Sequence, residues 1–443
     1  MDYVPHTQED QKQMMESIGV QSIEELFIDI PEKFRLKELL NLPPALSEQE
    51  ASRLMNALSA KNTIPPITLM GAGVYHHYIP AVVGHVISRS EFYTAYTPYQ
   101  AEISQGILQA IYEYQTMIAK LTGMQVANAS MYDGASAMAE AAVLAAKTFN
   151  RTKIVIVRNV HPEYRQVVKT YAWANGYEVI ETPYGKTGQF DRDALLQTVD
   201  EQTAAVLVQS PNFFGVIEDV SSIESTIHEK GAVLVSGFTE ATSLGILKPA
   251  GAMGADFVVG EGQSFGNAMN YGGPYLGIFA STNKFLRKIP GRLAGATVDR
   301  EGKRGFVLTL QTREQHIRRE RATSNICSNE ALCALAAAVY LVSLGKNLKK
   351  LAELNVQKTQ YLKQKFSQFK GWETLFSGSV YNEFTIRCPN PQQVNQKLQA
   401  EGIIGGYEIE QAYPELKNTL LFCATEMLTK DDMDRVVSIV KAI

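Results

Sequence analysis

The side chain that most constrains the chemistry of this chain is Gln263, which lies in a glycine-rich turn after a short apolar segment. The stretch Asp256-Phe-Val-Val-Gly-Glu-Gly-Gln-Ser-Phe-Gly266 is typical of a buried strand that runs into a turn. The carboxamide of Gln263 can donate and accept hydrogen bonds. Its nitrogen is conjugated with the carbonyl group and is not nucleophilic, so Gln263 cannot form an imine.

The turn resembles the cofactor-binding turn of pyridoxal-phosphate (PLP) enzymes of the aspartate-aminotransferase type, fold type I. In those enzymes the turn carries a lysine that binds PLP as a Schiff base, and Gln263 stands in its place here. Lys248 precedes the strand and Lys284 begins a helix well past the turn, so both are better interpreted as surface lysines. The resemblance therefore predicts the body of a PLP enzyme without the covalent anchor, in a subunit that works with a partner.

The composition, with 45% hydrophobic and 20% charged residues among 443, is that of an ordinary soluble globular enzyme. A formal net charge of −4 without a basic block argues against nucleic acid as a partner. The N-terminus shows no targeting signal, and no apolar run reaches the roughly 18–20 residues of a membrane span. The four cysteines are scattered, so we expect no metal site, no disulfide framework and a cytoplasmic location.

The sequence predicts an N-terminal helical arm and two domains of an α/β protein. Residues 1–65 form the arm, in which Ser22-Ile-Glu-Glu25 and Ser47-Glu-Gln-Glu50 are capping-box patterns. Residues 66–328 form the large domain, where short β-branched segments alternate with helical patterns. That alternation predicts a mostly parallel central sheet covered by helices. Residues 329–443 form a small C-terminal α+β domain.

Three segments could line a cofactor pocket, and each has a purely structural alternative. Tyr132-Asp-Gly-Ala-Ser136, which includes Asp133 and Gly134, opens a helix and offers N–H groups to a phosphate, or is a helix cap. His161 follows a strand, where PLP enzymes often stack an aromatic or histidine side chain on the cofactor ring. The alternatives are a strand–helix connection with Pro162 at the first helical position, or a polar surface loop. Glu240 is the one carboxylate where these enzymes place an aspartate for the pyridinium nitrogen, or is a surface glutamate.

Two segments rich in aromatic residues and histidine follow neither helical nor strand periodicity. The first, Gly71-Ala-Gly-Val-Tyr-His-His-Tyr78, contains two histidines, and the second includes Tyr93, Tyr96, Tyr99 and Gln100. Aromatic side chains with polar tips are common in binding sites and interfaces. We therefore favour a functional interpretation over loops that merely cover the core.

A cluster of arginines precedes Thr323-Ser-Asn-Ile-Cys327. It comprises Arg313 and Arg318-Arg-Glu-Arg321. A carboxylate or phosphate clamp, or a contact to an acidic partner, is the functional interpretation. The commoner alternative is a charge pattern on a helix surface.

Together these segments resemble the P-protein (glycine decarboxylase) family of the glycine cleavage system, most closely subunit 1 of its split form. The resemblance covers nearly the whole chain, and Gln263 in a Gly-Glu-Gly-Gln turn is typical of that subunit. The motifs that carry it are Gly71-Ala-Gly-Val-Tyr-His-His-Tyr78, Tyr93-Thr-Ala-Tyr-Thr-Pro-Tyr-Gln-Ala-Glu-Ile-Ser-Gln-Gly106, Gln209-Ser-Pro-Asn-Phe-Phe-Gly215, Gly260-Glu-Gly-Gln-Ser-Phe-Gly266 and Ala322-Thr-Ser-Asn-Ile-Cys327.

The resemblance implies the chemistry. Glycine forms an imine with PLP, the pyridinium ring takes up electrons as CO2 leaves, and the aminomethyl group passes to the lipoyl group of the H-protein. The lysine that binds PLP would belong to subunit 2, with which this chain would form an α2β2 assembly. Tyr93, Tyr96, Tyr99 and Gln100 would reach toward the partner's cofactor. The corresponding pocket of this chain, with Gln263, would be vestigial.

Two other functions remain open on the sequence alone. The chain could be a non-catalytic scaffold that stabilises its partner, and a degenerate pocket fits that function equally well. It could also be a self-sufficient PLP enzyme that uses a displaced lysine, against which Gln263 argues. The aromatic segment from Tyr93 to Gln100 distinguishes the first alternative from a catalytic partner subunit.

Overall fold

The computed structural model describes residues 5–38, 40–326 and 329–442. The chain divides into two compact units, Met1–Ile64 and Pro65–Ile443. Cys327 and Ser328 lie outside the described residues, and Ser328 is the predicted last residue of the large domain. The three domain ranges given by the sequence stay a prediction.

The first unit contains two α-helices, α1 (Gln8–Ile18) and α2 (Glu48–Ser59), in its described part. The capping box predicted at Ser47 is confirmed: its hydroxyl accepts the N–H of Glu50, whose carboxylate accepts the N–H of Ser47. The box predicted at Ser22 is wrong. A short 3-10 turn, Ile23–Phe27, begins there, and the Ser22 hydroxyl donates to Glu25 instead of capping the turn.

The second unit contains most of the regular structure. Its described helices are α3 Ala81–Ile87, α4 Ser90–Tyr93, α5 Gln105–Thr122, α6 Gly134–Phe149, α7 Pro162–Asn175, α8 Arg192–Thr198, α9 Glu224–Glu229, α10 Gln315–Arg318, α11 Ala331–Leu344, α12 Leu348–Phe366, α13 Pro391–Ala400 and α14 Lys430–Lys441. Its described strands are β1 Ile67–Thr68, β2 Val126–Ala127, β3 Lys153–Val157, β4 Glu178–Thr182, β5 Thr203–Gln209, β6 Val233–Phe238, β7 Phe257–Glu261, β8 Gly277–Ser281, β9 Leu293–Val298, β10 Arg304–Thr309, β11 Glu373–Thr374, β12 Glu383–Arg387, β13 Ile403–Ile404, β14 Tyr407–Glu408 and β15 Thr419–Cys423.

The central sheet has the strand order β2-β8-β7-β6-β5-β3-β4. Strands β3 to β7 pair in parallel, whereas β8 runs antiparallel to both β7 and β2. The prediction of a mostly parallel sheet is therefore confirmed. Parallel strands must be joined by crossovers, and α7, α8 and α9 supply them between β3 and β6. The carboxyl ends of β6 and β7 lead into the segments that contain Glu240 and Gln263.

Both faces of this sheet are buried, which explains why its strands are apolar at nearly every position. Val155 and Val206 pack into one core cluster that includes residues of α5 and α11. Their neighbours Ile154 and Leu207 face the opposite cluster, which includes the alanines of α6. Alternate residues of one strand thus serve two cores.

The C-terminal part of the second unit has its own antiparallel sheet, in the order β11-β12-β15-β14. Its core contains Phe366 of α12, Phe384 of β12 and Phe422 of β15. Strand β1 pairs in parallel with β13, so the segment before the first aromatic loop adjoins this core. A hairpin of β9 and β10, which the sequence did not predict, lies beside α5.

One helical stretch of the described chain, Ala331–Phe366, is long and apolar enough to pass a length-and-hydropathy test for a membrane span. Core helices of globular proteins pass the same test. In α11, Ala334, Ala337 and Leu341 are buried within the core that covers one face of the central sheet. We therefore interpret α11 as a core helix.

Candidate functional site

The N-terminus of α6 contains the residues at which the sequence could place a phosphate. Asp133 is the N-cap, and its carboxylate accepts the backbone N–H (2.7 Å) and the hydroxyl (3.0 Å) of Ser136. The backbone N–H of Gly134 donates to the buried carboxylate of Glu261 (3.0 Å). Two carboxylates of this chain thus accept the N–H groups that would otherwise bind an anion. Tyr132, just before the helix, is half-buried against the adjoining core.

Glu261, the last residue of β7, ties this helix terminus to the glycine-rich turn. Its carboxylate also accepts the backbone N–H groups of Gln263 (3.0 Å) and Leu276 (2.9 Å). Burial raises the pKa of Glu261 to about 7, against the effect of its N–H donors. A side chain at Gly134 would meet the Tyr164 hydroxyl and the Glu261 backbone, so the close approach requires glycine.

His161 lines a cavity of about 340 Å³ together with Asp133, Glu163, Tyr164 and Glu261. The ring is 8% exposed, so it is not a polar surface loop residue. Its Nε2 lies 2.9 Å from the backbone oxygen of Ala72, and its Nδ1 accepts the backbone N–H of Glu163 (3.2 Å). This pattern places the proton on Nε2, and burial lowers the pKa of His161, so the ring is neutral at pH 7.

Gln263 is 3% exposed and binds backbone groups through both ends of its carboxamide. Its Oε1 accepts the N–H of Tyr75 (3.0 Å), and its Nε2 donates to the carbonyl of the same residue (3.2 Å). The Nε2 also donates to the carbonyl of Asn267 (2.7 Å). A lysine ammonium could donate to these carbonyls but could not accept the N–H.

Glu240 follows β6 and is 1% exposed, so it is not a surface glutamate. One oxygen lies 2.9 Å from Nε2 of His77 and accepts the amide N–H of Asn382 (2.9 Å); the other accepts the backbone N–H of Thr242 (2.9 Å). Nδ1 of His77 lies 2.8 Å from Glu426. Burial opposes the charge of His77, but the two carboxylates outweigh it and raise its pKa well above the ordinary value. Glu240 is therefore paired within the chain.

The residues of this region do not fit PLP. Gln263 cannot form the imine, and its carboxamide is engaged by backbone groups. A phosphate at α6 would face the carboxylates of Asp133 and Glu261. The described residues that line the cavity include no lysine or arginine to balance an anion, and neither Lys248 nor Lys284 is among them. Lys284 instead lies over the rings of Phe149 and Phe285.

The aromatic segment lies apart from that cavity and is largely exposed. Tyr93 at the end of α4 is 57% exposed, and Tyr96 is 82% exposed. Tyr99 is better held, since Arg292 donates to its hydroxyl (3.3 Å) and the His316 ring packs edge-on at 5.5 Å. Gln100 is exposed and precedes a short 3-10 turn. The structure thus gathers these predicted site residues on one surface segment and does not bring them to Gln263.

Arg313, from the predicted arginine cluster, is buried at 7% exposure and is not part of a helix-surface charge pattern. Its guanidinium donates to the carbonyl of Ile289. Arg318, Arg319 and Arg321 are exposed. The cluster is therefore split between a buried side chain and surface side chains.

Sequence reasoning missed the carboxylates that hold the loop of residues 71–78. Glu383 of β12 accepts the N–H of Ala72 (2.6 Å) and the hydroxyl of Tyr75 (2.8 Å). Glu426, after β15, accepts the N–H of Tyr78 (2.7 Å). Both lie more than three hundred residues from their partners, and no local pattern marks them. His77 stood within a motif that the sequence singled out.

Comparisons with known proteins find relatives over the full length. A family model described as the glycine cleavage system P-protein matches residues 1–440. The probable glycine dehydrogenase (decarboxylating) subunit 1 of Carboxydothermus hydrogenoformans is 52% identical over 443 residues, with 99% of each chain covered. Its name carries both the activity and the designation of a first subunit.

Solved structures agree with the fold and the family. A glycine decarboxylase (P-protein) of the glycine cleavage system, in inhibitor-bound form, superposes with a TM-score of 0.89 at 40% identity, with all of both chains covered. A sphingosine-1-phosphate lyase of Burkholderia pseudomallei, with a TM-score of 0.66 at 14% identity over 93% of this chain and 94% of that chain, shares the fold alone. The predicted PLP-transferase-like α/β fold is confirmed. This chain belongs to the P-protein family of the glycine cleavage system.

Proposed function

We propose that this chain is the subunit of a two-subunit glycine decarboxylase that does not anchor PLP. The partner is subunit 2, which carries the cofactor lysine, and the two chains form an α2β2 assembly. With PLP bound there, the partner supplies the electron sink for loss of CO2, and the lipoyl group of the H-protein accepts the aminomethyl group. The proposed location is the cytoplasm, and glycine is the substrate.

The observation that carries this proposal is the state of Gln263 and its surroundings. Both ends of the carboxamide bond to the backbone of Tyr75. The carboxylates of Asp133 and Glu261 cap the helix terminus where a phosphate would bind. With its polar groups bonded within the chain, this pocket is not suited to bind PLP, although the chain belongs to the glycine cleavage system P-protein family. A partner subunit that supplies the PLP-binding lysine would account for both facts.

The exposed aromatic segment is the proposed contribution of this chain to the partner's active site. Tyr93, Tyr96 and Gln100 are exposed, whereas Tyr99 is 48% exposed and its hydroxyl accepts a hydrogen bond from Arg292. A tyrosine has few rotatable bonds, so its hydroxyl can orient a small substrate at modest entropic cost. Glycine is small enough that such orientation would come from a few hydroxyl and amide groups.

The first test traps PLP on the chain that binds it. We expect no imine absorbance and no borohydride adduct when this chain alone is mixed with PLP. In the mixture with subunit 2, the adduct should appear on subunit 2 only. An adduct on a lysine of this chain would contradict the proposal and support the self-sufficient enzyme.

The second test separates a catalytic subunit from a scaffold. We expect Tyr96→Phe to lower kcat of the assembled enzyme at least tenfold, or about 1.4 kcal/mol in the barrier, because the hydroxyl is lost without loss of the ring. Steady-state turnover with assembly checked by sedimentation provides the measurement. Tyr177→Phe, directly before β4, is the matched control and should leave turnover unchanged. Unchanged turnover for Tyr96→Phe would favour the scaffold.

A further inference from the structure

A set of buried and partly buried polar side chains, which we call the loop anchor, holds residues 71–78. It consists of Gln263, Glu383, His77, Glu240 and Glu426. We propose that the loop anchor is a positioning device: it fixes His76 and Tyr78 at the surface as further contacts for the partner's active site. This inference rests on the proposed function and adds residues outside the segment from Tyr93 to Gln100.

Gln263 contributes a bond pattern that resembles pairing between two strands. It accepts from the N–H and donates to the carbonyl of Tyr75, at 3.0 and 3.2 Å, and its Nε2 is fixed further by Asn267 at 2.7 Å. Only a side chain with both a donor and an acceptor can satisfy both groups. The pattern thus gives a physical reason for glutamine at this position.

Glu383 fixes the beginning of the same loop from the C-terminal sheet. Its two oxygens accept the N–H of Ala72 (2.6 Å) and the hydroxyl of Tyr75 (2.8 Å). The Tyr75 hydroxyl also lies 3.1 Å from the hydroxyl of Thr239, just after β6. The Tyr75 side chain therefore bonds both to the C-terminal antiparallel sheet and to the segment that follows β6 of the central sheet.

His77 fixes the end of the loop by an ion pair on each ring nitrogen, one buried and one partly buried. Glu240 lies 2.9 Å from Nε2, and Glu426 lies 2.8 Å from Nδ1. The second oxygen of Glu426 accepts the N–H of Tyr78 (2.7 Å). Buried ion pairs are weak evidence for stability, because desolvation offsets most of their attraction. They do impose a defined geometry, which is what a positioned loop requires.

The side chains of the anchored loop differ in how far they are buried. Tyr75 and His77 are 1% and 6% exposed, whereas Tyr78 is 61% exposed and His76 is half-buried. All four residues line an open cavity of about 360 Å³, to which Gln263 also contributes. The anchor thus fixes Tyr75 and His77 and leaves Tyr78, with part of His76, available for contact at this cavity.

The test uses the assembled enzyme with this chain carrying Gln263→Met, which has similar length but cannot bond to Tyr75. We expect faster hydrogen exchange in residues 72–79 and a fall in kcat of about tenfold, with subunit affinity within about twofold. Gln263→Glu can accept but cannot donate, so its effect on kcat should be intermediate. It also keeps the test valid if the methionine variant does not fold.

A double-mutant cycle shows whether the anchor acts through the exposed residues. In the background of Tyr78→Ala with His76→Ala, Gln263→Met should lower kcat by less than about twofold further, because the positioned groups are absent. Asn395→Leu is the matched control, since Asn395 makes the same two-ended bond to the backbone of Gly406 at 3.0 and 3.1 Å. It should leave kcat and exchange in the loop unchanged.

The outcomes separate the inference from the proposed function. If the unmodified chain fails to activate subunit 2, the proposed function is wrong, and the loop anchor as a device that positions contacts for the partner is overturned with it. If the unmodified chain activates it, either unchanged kcat in Gln263→Met or a full tenfold effect in the double background overturns the loop anchor as a positioning device.

Discussion

The three tyrosines of the aromatic segment share a sequence motif but differ in how firmly they are held. Tyr93 and Tyr96 are exposed, and in the described chain neither side chain makes a hydrogen bond. Tyr99 bonds to the guanidinium of Arg292, which is 4% exposed and also lies over its ring at 5.7 Å. Tyr99 is thus the one whose position is set before any partner binds, and Arg292 is its positioning residue.

We expect Arg292→Lys to lower kcat of the assembled enzyme roughly three- to tenfold. The charge is retained, but a lysine lacks the planar fork that reaches both Tyr99 and the carbonyl oxygen of the Asn329 side chain. Steady-state kinetics on Arg292→Lys, Tyr99→Phe and the double variant supply the measurement. The double variant should be no slower than the slower single variant.

A cation–π pair formed by an exposed arginine offers the control for that cycle. Arg304 lies over the ring of Phe306 at 5.0 Å in the hairpin of β9 and β10. Arg304→Lys should leave kcat unchanged. Fully additive losses for Arg292→Lys and Tyr99→Phe would instead mean that Arg292 acts on the reaction by another route.

At the scale of elements, local sequence patterns were sufficient to predict a helix or strand where one residue type dominates the segment. Strands β3 to β6 and helices α7 to α9 show the predicted alternation of short β-branched segments with helical patterns. Their apolar, β-branched or alanine-rich runs leave few alternatives. The hairpin of β9 and β10 was missed because Leu293–Val298 contains two alanines and a glycine, a composition without strand character. The antiparallel course of β8 depends on its neighbours and has no local signal.

The candidate site was predictable only in part, because some of its contacts join residues that are far apart in the sequence. The glycine-rich turn with Gln263 and the N-cap Asp133 are local features, and the sequence identified both. The loop anchor depends on Glu383 and Glu426, which reach residues 71–78 from the far end of the chain. Glu240 was identified as a possible ligand of a cofactor, but His77 already occupies it. Long-range pairing of this kind is set by the fold and not by spacing.

At the scale of the whole molecule, buried carboxyl groups make stability depend on pH. Burial raises the pKa of Glu140, Glu218, Glu261 and Glu383 to about 7 in each case. The folded state therefore holds more protons than the unfolded state between about pH 4.5 and pH 7, so the free energy of unfolding falls as pH rises through that window. Above about pH 7 these four groups are ionised in both the folded and the unfolded state, so they no longer change the free energy of unfolding as pH rises.

Two other carboxyl groups, those of Glu240 and Glu426, make the free energy of unfolding fall as the pH is lowered. Burial would raise the pKa of Glu240 and Glu426, but the His77 imidazolium and hydrogen bonds hold both below the ordinary value. Their stabilising contribution is present above the unfolded value and is lost as pH falls through the folded one. We therefore expect maximum stability at mildly acidic pH, at about pH 5.

Glu140 allows this expectation to be tested at one position, because it lies on α6 within the core and can be replaced by an isosteric amide. Between pH 5.5 and pH 8.5 the wild-type chain should lose about 2 kcal/mol more free energy of unfolding than Glu140→Gln, since a group with pKa values of about 4.5 unfolded and 7 folded no longer titrates. Urea unfolding at a series of pH values supplies the measurement. Glu229→Gln, exposed at the end of α9, should follow the wild-type curve. If the Glu140→Gln curve were parallel to that of the wild type, burial would not control the protonation of Glu140, and this residue would not contribute to the acidic optimum.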